Sequence, residues 1–186
     1  MKIKNLFRRL PKPLSFVPAM CILYIIFVFS AQNGDDSAVV SRSVGELLVT
    51  AFNDILKLNL SASQIVYHSE SLQTLIRKTA HITEYFLLAL SIAFPLYVYR
   101  MRAVRLLLVT GISSVIFAGL DELHQSFVSD RIASLSDVGI DSIGVLLAIL
   151  ALLLGNHIHH KRVTGQQRVC STSPQEPITA KQSDKK

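Results

Sequence analysis

The sequence predicts an all-α integral membrane protein: a four-helix bundle with an amphipathic helix in its outer loop and both termini cytoplasmic. Three observations predict it. Half of the 186 residues are hydrophobic while only 17% are charged. The apolar residues fall in blocks rather than at the spacing of soluble amphipathic helices. Lysine and arginine gather beside alternate ends of those blocks. The formal charge of +6 belongs to the same pattern. Basic residues edge the apolar blocks without interleaved aromatics, so the charge speaks for orientation in a lipid bilayer and not for nucleic acid.

The first apolar run, Leu14 to Ser30, follows the basic stretch MKIKNLFRRLPK. A cleavage site ending at Ala31 would place Phe29 where a small residue is needed, so the run reads as a retained anchor. The second run is Ala80 to Tyr99, with Pro95 near its inner end, a placement membrane helices tolerate. The third begins at Arg105 (RLLLVTGISSVIFAGL) and the fourth covers Asp137 to Gly155. From Arg105 to Leu120 a helix reaches only about 24 Å, short of a hydrocarbon core of about 30 Å. The third helix is therefore expected to continue to about Phe127, which carries DELHQ into the membrane edge.

Of the 19 basic residues, five precede the first span, three (Arg100, Arg102, Arg105) separate the second from the third, and six follow the fourth. These segments are expected in the cytoplasm. The organisation is then a basic N-terminus over 1–13, a four-span domain over 14–155 with its outer loop at about 32–76, and a basic tail over 156–186. From Val163 the tail is rich in Gln, Ser, Lys and Pro and reads as disordered. In the outer loop, Val40, Val44, Leu47, Leu48, Ala51, Phe52 and Ile55 follow helical spacing, opposite Arg42, Glu46, Asn53, Asp54 and Lys57. That is an amphipathic helix lying on the membrane surface or capping the bundle. Ser61-x-x-Gln64 is a capping box that starts a second short helix. Cys21 and Cys170 lie far apart in this topology, and neither a disulfide nor a thiolate zinc site is expected.

Two polar stretches interrupt this oily chain. In IRKTAHITEYF, Arg77, His81, Glu84 and Tyr85 share one helical face, with Lys78 beside them. In DELHQSFVSDRIASLSDVGIDS, Asp121, His124 and Gln125 share another, next to Glu122, while Asp137 and Asp141 stand one turn apart at the start of the fourth span. Carboxylates at that depth cost roughly 2.5 to 3.5 kcal/mol each on insertion scales, so they should face one another across an outward-facing polar pocket.

RKTAHITEYFLLAL followed by DELHQSFVSDRIASLSDVGIDSIG resembles the signature of the VanZ-like family of bacterial membrane proteins. That signature runs RK-x-x-H-x-x-E-Y, then DE-x-HQ-x-F-V-P-G-R, then D-x-x-x-D-x-x-G. FSAQNGDDS is similar to the polar turn after the family's first span, and the resemblance covers about residues 15 to 155. One departure is Val128-Ser129-Asp130-Arg131, where the family commonly has V-P-G-R. The resemblance implies a protein of the bacterial cell membrane and envelope; the family's namesake gives low-level resistance to the glycopeptide teicoplanin. It supplies no reaction.

The residues leave several readings open. Six carboxylates (Glu84, Asp121, Glu122, Asp130, Asp137, Asp141) face three cations (Arg77, Lys78, Arg131). The excess calls for a bound cation, protonated histidine or protonated carboxyls. A divalent transition metal (zinc, manganese or iron) would use His81, Glu84, Asp121 and His124, with Asp141 as a further candidate ligand. A metal-free catalytic site would use His81 or His124 as acid and base, with Glu84, Asp121 or Glu122 orienting it. Arg77, Lys78, Tyr85, Gln125, Arg131, Asp137 and Asp141 would then bind a lipid-linked or cell-wall precursor. A binding protein or an ion- or proton-coupled transporter is the alternative. In a purely structural reading, Arg77 and Arg131 pair with Glu84, Asp121 and Asp141, and Ser134-x-x-Asp137 is a capping box. Gly144-x-x-x-Ala148 and Ser114-x-x-x-Ala118 suit close helix packing within or between chains, which leaves an oligomer open. The tract His157, His159 and His160 lies at the opposite, basic edge and reads as a solvated interface.

Overall fold

A computed structural model of the chain describes residues 12–128 and 134–171, with the side chains of 103 and 158–171 left aside. Compact packing groups the chain into two units, 1–150, which holds the features below, and 151–186, of which a helical stretch is described. Among the described residues there are five α-helices and no strand.

A 3₁₀ turn over Lys12–Phe16 leads into α1 (Val17–Ser30). Pro18 sits in its first turn, where the missing N–H has no helical partner to lose. Turn and helix together make a 19-residue apolar segment, which relieves the shortness of Leu14 to Ser30 alone. The next helix, α2 (Gly34–Leu56), is capped by Asn33, whose side chain accepts the Asp36 N–H at 2.8 Å. Its far end turns through left-handed Lys57 (φ 52°) and Asn59 (φ 53°). Asn53 holds that turn closed: its backbone carbonyl accepts the Leu58 N–H at 3.2 Å and its side-chain oxygen accepts the Leu60 N–H at 2.9 Å.

The capping box at Ser61 and Gln64 forms as expected, with the Ser61 N–H donating to the Gln64 side chain at 2.9 Å. The helix it starts is not short. It runs without a break into the second span as α3 (Ala62–Val98), 37 residues or about 56 Å. No glycine or proline interrupts it before Pro95, so nothing ends the hydrogen-bond ladder between loop and span.

The first half of α3 and α2 form an antiparallel hairpin. The Gln73 side chain donates to the Ala38 carbonyl at 3.0 Å, and Arg42 pairs with Glu70 at 3.8 Å. A Cβ at Gly45 would lie 3.0 Å from the Ser69 carbonyl oxygen. The face of α2 that is buried is therefore the small one, Ser41, Gly45 and Val49. Val40, Val44, Leu47, Leu48, Phe52 and Ile55 stay exposed beside it. The amphipathic helix expected in the outer loop is α2, and small side chains let its backbone approach α3.

After a turn with Arg100 at φ 60°, α4 (Ala103–Gln125) carries DELHQ as helix to its last residue, two residues short of the expected end. The final helix, α5 (Leu135–Ser171), continues past Val163, where composition argues for disorder. Extending a helix already begun by an apolar span avoids the cost of nucleation, and Arg162, Gln166, Gln167 and Arg168 are good helix formers. Four segments are long and apolar enough to cross a bilayer: Lys12–Ser30, Val104–Gln125, Leu135–His157 and a stretch of Ala62–Val98.

The four segments share one core of Ile26, Tyr85, Leu88, Ala89, Ala118, Val145 and Ala148. Both small-residue motifs are used within the chain: Ser114, Ala118 and Ala148 are fully buried. At Gly144 an added Cβ would collide with the carbonyl of Ile82 and crowd the Phe86 nitrogen, so the backbones of α3 and α5 touch there. Gly144→Val should cost about 1–3 kcal/mol or more by overpacking. Gly119→Ala, with open space around its Cβ, should change stability by less than about 0.5 kcal/mol. Unfolding both variants beside wild type in detergent micelles measures the difference.

Candidate functional site

Polar side chains meet where α1 and α4 end, α5 begins and α3 passes through. The last turn of α4 supplies most of the connections. The Gln125 side-chain amide donates to Asp121 at 2.9 Å on its own helix and to the Ser30 hydroxyl at 3.2 Å on α1. His124 stacks on Phe27 of α1, with ring centroids 4.8 Å apart. Glu122 accepts the backbone N–H of Ser134 at the start of α5. Asp121, Glu122 and Gln125 are all buried, as their spacing on one helical edge dictates.

The second connection joins α3 to α5. His81 Nδ1 lies 3.5 Å from an Asp141 carboxylate oxygen, and Asp141 is 2% exposed. Gly144 stands three residues beyond Asp141, and its contact with Ile82 sets the two helices close enough for the pair to form. Tyr85, one turn below His81, is fully buried beside Asp121 and Asp141. Its hydroxyl has no hydrogen-bond partner among the described residues. His124 Nδ1 is likewise buried without one.

The structure thus brings together His81, Tyr85, Asp121, Glu122, Gln125 and Asp141, with Glu84 half-buried on the same helix. Other expectations change. Arg77 and Lys78 are exposed, and within the cluster His81 and Asp141 form an ion-pair contact. Asp141 thus faces a histidine on α3, and Arg77 lies four residues before that histidine. Asp137 is half-buried in the first turn of α5. The Ser134 N–H goes to Glu122 and not back to Asp137, because a buried carboxylate needs donors more than a half-exposed one does. The capping box predicted there is replaced by a bond between helices. Asp130 and Arg131 lie outside the described residues.

For the metal reading, no three His, Cys, Asp or Glu side chains gather as ligands among the described residues. His81 is turned to Asp141 and the His124 ring is held flat on Phe27, so His81, Glu84, Asp121 and His124 are not assembled around one point. The sequence reading also missed residues. Ser30 and Phe27 complete the connections, and Ser134, expected as a helix cap, donates to Glu122 instead. Two fully buried hydroxyls have no partners: Thr110, not foreseen, and Ser114, expected only as a packing residue. The i, i+4 spacing of Thr110, Ser114, Ala118, then Asp121 and Gln125, was the signal for the last two.

Residues 15–156 match the VanZ/LLP1 family. The chain belongs to the VanZ/LLP1 family. The match takes in all four spans and the whole polar cluster, and family and apolar helices together make this a multi-pass membrane protein. Comparisons with curated proteins and with solved structures give no match.

In this VanZ/LLP1 chain, coupling between His81 and Asp141 should appear in a double-mutant cycle. His81→Ala should destabilise by about 3 kcal/mol, because it leaves a buried carboxylate without its partner. Adding Asp141→Ala should recover part of that loss, with an interaction energy of about 1–3 kcal/mol. Unfolding of the four chains in one detergent reads it directly, and strictly additive effects would break the pairing.

Proposed function

We propose that the chain acts at the bacterial cell envelope, with the polar end of the bundle facing outward and both termini in the cytoplasm. There the His81–Asp141 pair carries out acid–base chemistry on a lipid-linked or cell-wall precursor. The observation that carries the reading is the pair itself: an imidazole on α3 aimed at a carboxylate on α5. When Nδ1, 3.5 Å from the Asp141 carboxylate, carries the ring's proton, Nε2 is left as the acceptor. It can take a proton from an attacking hydroxyl or water and return it to the leaving oxygen. Asp141 holds the tautomer and steadies the charged ring, which is the work a buried aspartate does for a catalytic histidine. The Tyr85 hydroxyl stands beside them unspent, a donor for a developing oxyanion. Arg77 and Lys78, exposed one turn above His81, supply the cations a phosphate or carboxylate headgroup needs. The distribution of Lys and Arg supports the orientation, and the family's namesake makes teicoplanin susceptibility the phenotype to follow.

A second reading is non-catalytic: a ligand-binding or ion- or proton-coupled protein. Asp121, Glu122 and Asp141 favour it, since these buried carboxylates form no ion pair with lysine or arginine among the described residues and would draw a cation or protons.

The test follows lipid and wall-precursor pools by mass spectrometry in cells that make wild type, His81→Gln, Asp141→Asn or Tyr85→Phe at equal abundance. Turnover should fall 10²–10⁴-fold in the first two variants, the range for losing a general acid–base group, together with any teicoplanin tolerance. Tyr85→Phe should reduce turnover while leaving stability unchanged or higher, because it removes a buried hydroxyl that has no protein partner. Unaltered pools and full tolerance in the His81 and Asp141 variants would remove the acid–base role.

A further inference from the structure

The exposed stripe on α2 is not used by the bundle or by the cluster. It consists of Val40, Val44, Leu47, Leu48, Phe52 and Ile55, between 40% and 75% exposed. At roughly 150–200 Å² for each free side chain of this size, that leaves on the order of 600 Å² of apolar surface uncovered. A standard protein interface takes about 800 Å² from each partner, so the stripe supplies most of one.

Lipid does not cover it. The hairpin is built on α3, which is continuous with the second span. From His81 back to Ser61 the axis climbs about 30 Å beyond the polar cluster at ~1.5 Å per residue. The α2 helix runs antiparallel beside that projecting half, from Ala38 opposite Gln73 to Asn53 at the tip. Membrane helices tilt by about 20° on average and rarely beyond ~40°. An uninterrupted helix therefore cannot lay this half flat on the surface, and the stripe stands off the bilayer.

We infer that the α2 stripe is a homodimer interface, in which the hairpins of two copies pack face to face beyond the membrane. Two copies inserted in the same sense are related by an axis along the membrane normal, so the two α2 helices meet roughly parallel and each residue faces its own equivalent. Such an arrangement requires a seam without charge, since like would meet like. The centre of the stripe meets that condition: Arg42, Glu46 and Lys57 lie on the far side of α2, Arg42 is already paired with Glu70 of its own chain, and Asp54 stands at the stripe's edge beside Leu47. The small-residue motifs that could have joined spans of two copies are spent inside the bundle, and the stripe is a continuous apolar surface on the projecting hairpin. This inference does not rest on the acid–base reading.

The test uses the full chain with Cys21 and Cys170 replaced by serine, carrying Val44→Cys, Leu47→Cys or, as an exposed control on another flank of α2, Thr50→Cys. Copper–phenanthroline oxidation in native membranes should give a disulfide-linked dimer at Val44→Cys and Leu47→Cys, at least five-fold above Thr50→Cys. The unaltered chain in nanodiscs should show the mass of two copies, and Leu47→Glu/Phe52→Glu the mass of one with the cluster's stability intact. Equal yields at all three positions, crosslinks only to other proteins, or a monomer mass for the unaltered chain would each overturn the inference.

Discussion

At Gly144 the backbone of α5 lies against the backbone of α3 at Ile82 and Phe86, closer than any side chain would allow. Helices usually pack 8–10 Å apart, held off by the side chains between them. Glycine removes that spacer, and in lipid, where no hydrophobic effect drives helices together, such an approach is a main source of packing energy. Its position matters as much as its size. Asp141 precedes it by three residues and His81 precedes Ile82 by one, so the contact places a carboxylate and an imidazole at the same depth on facing helices. Ala89, Ala118 and Ala148 extend the close packing below.

The cluster then has to answer for its charge. Asp121, Glu122 and Asp141 are buried in a segment whose walls are apolar, and each receives a different kind of partner: an amide from Gln125, a backbone N–H from Ser134, an imidazole from His81. Two of these partners are neutral donors, which stabilise a carboxylate without cancelling it. The third can carry a proton. A site made this way keeps protons and cations in play, whereas a network closed by arginine would fix every charge. That difference is why the cluster reads as chemistry or ligand binding more readily than as a structural lock.

Much of this was legible in the residues. The four spans, their order and the reach of the third through DELHQ follow from apolar block length against bilayer thickness. The faces shared by His81 and Tyr85, and by Asp121 and Gln125, follow from helical period. What the period cannot show is which faces meet. The meeting of Asp141 with His81 was not foreseen, because it depends on Gly144, a residue with no charge and no spacing motif that points to His81. Continuity of α3 was hidden for a related reason: the capping box at Ser61 reads as the start of a separate short helix, although no residue between it and the span stops a helix. On α2 the hydrophobic pattern does not show the face that packs on α3, because Ser41 and Gly45 pack by being small and not by being apolar.

The last turn of α4 and the His81–Asp141 pair differ in what they risk. Within five residues, Asp121, Glu122, His124 and Gln125 tie α4 to α1 and to the start of α5. Changing any of them alters how the helix ends are joined, and loss of activity there would be inseparable from loss of assembly. His81, by contrast, is partly exposed and faces Asp141 with one nitrogen, while Tyr85 presents a buried hydroxyl beside Asp121 and Asp141 that makes no well-formed hydrogen bond among the described residues. Buried polar atoms without partners are costly and uncommon. A bundle that retains one beside a histidine–aspartate pair holds a donor there beyond those its helix contacts use.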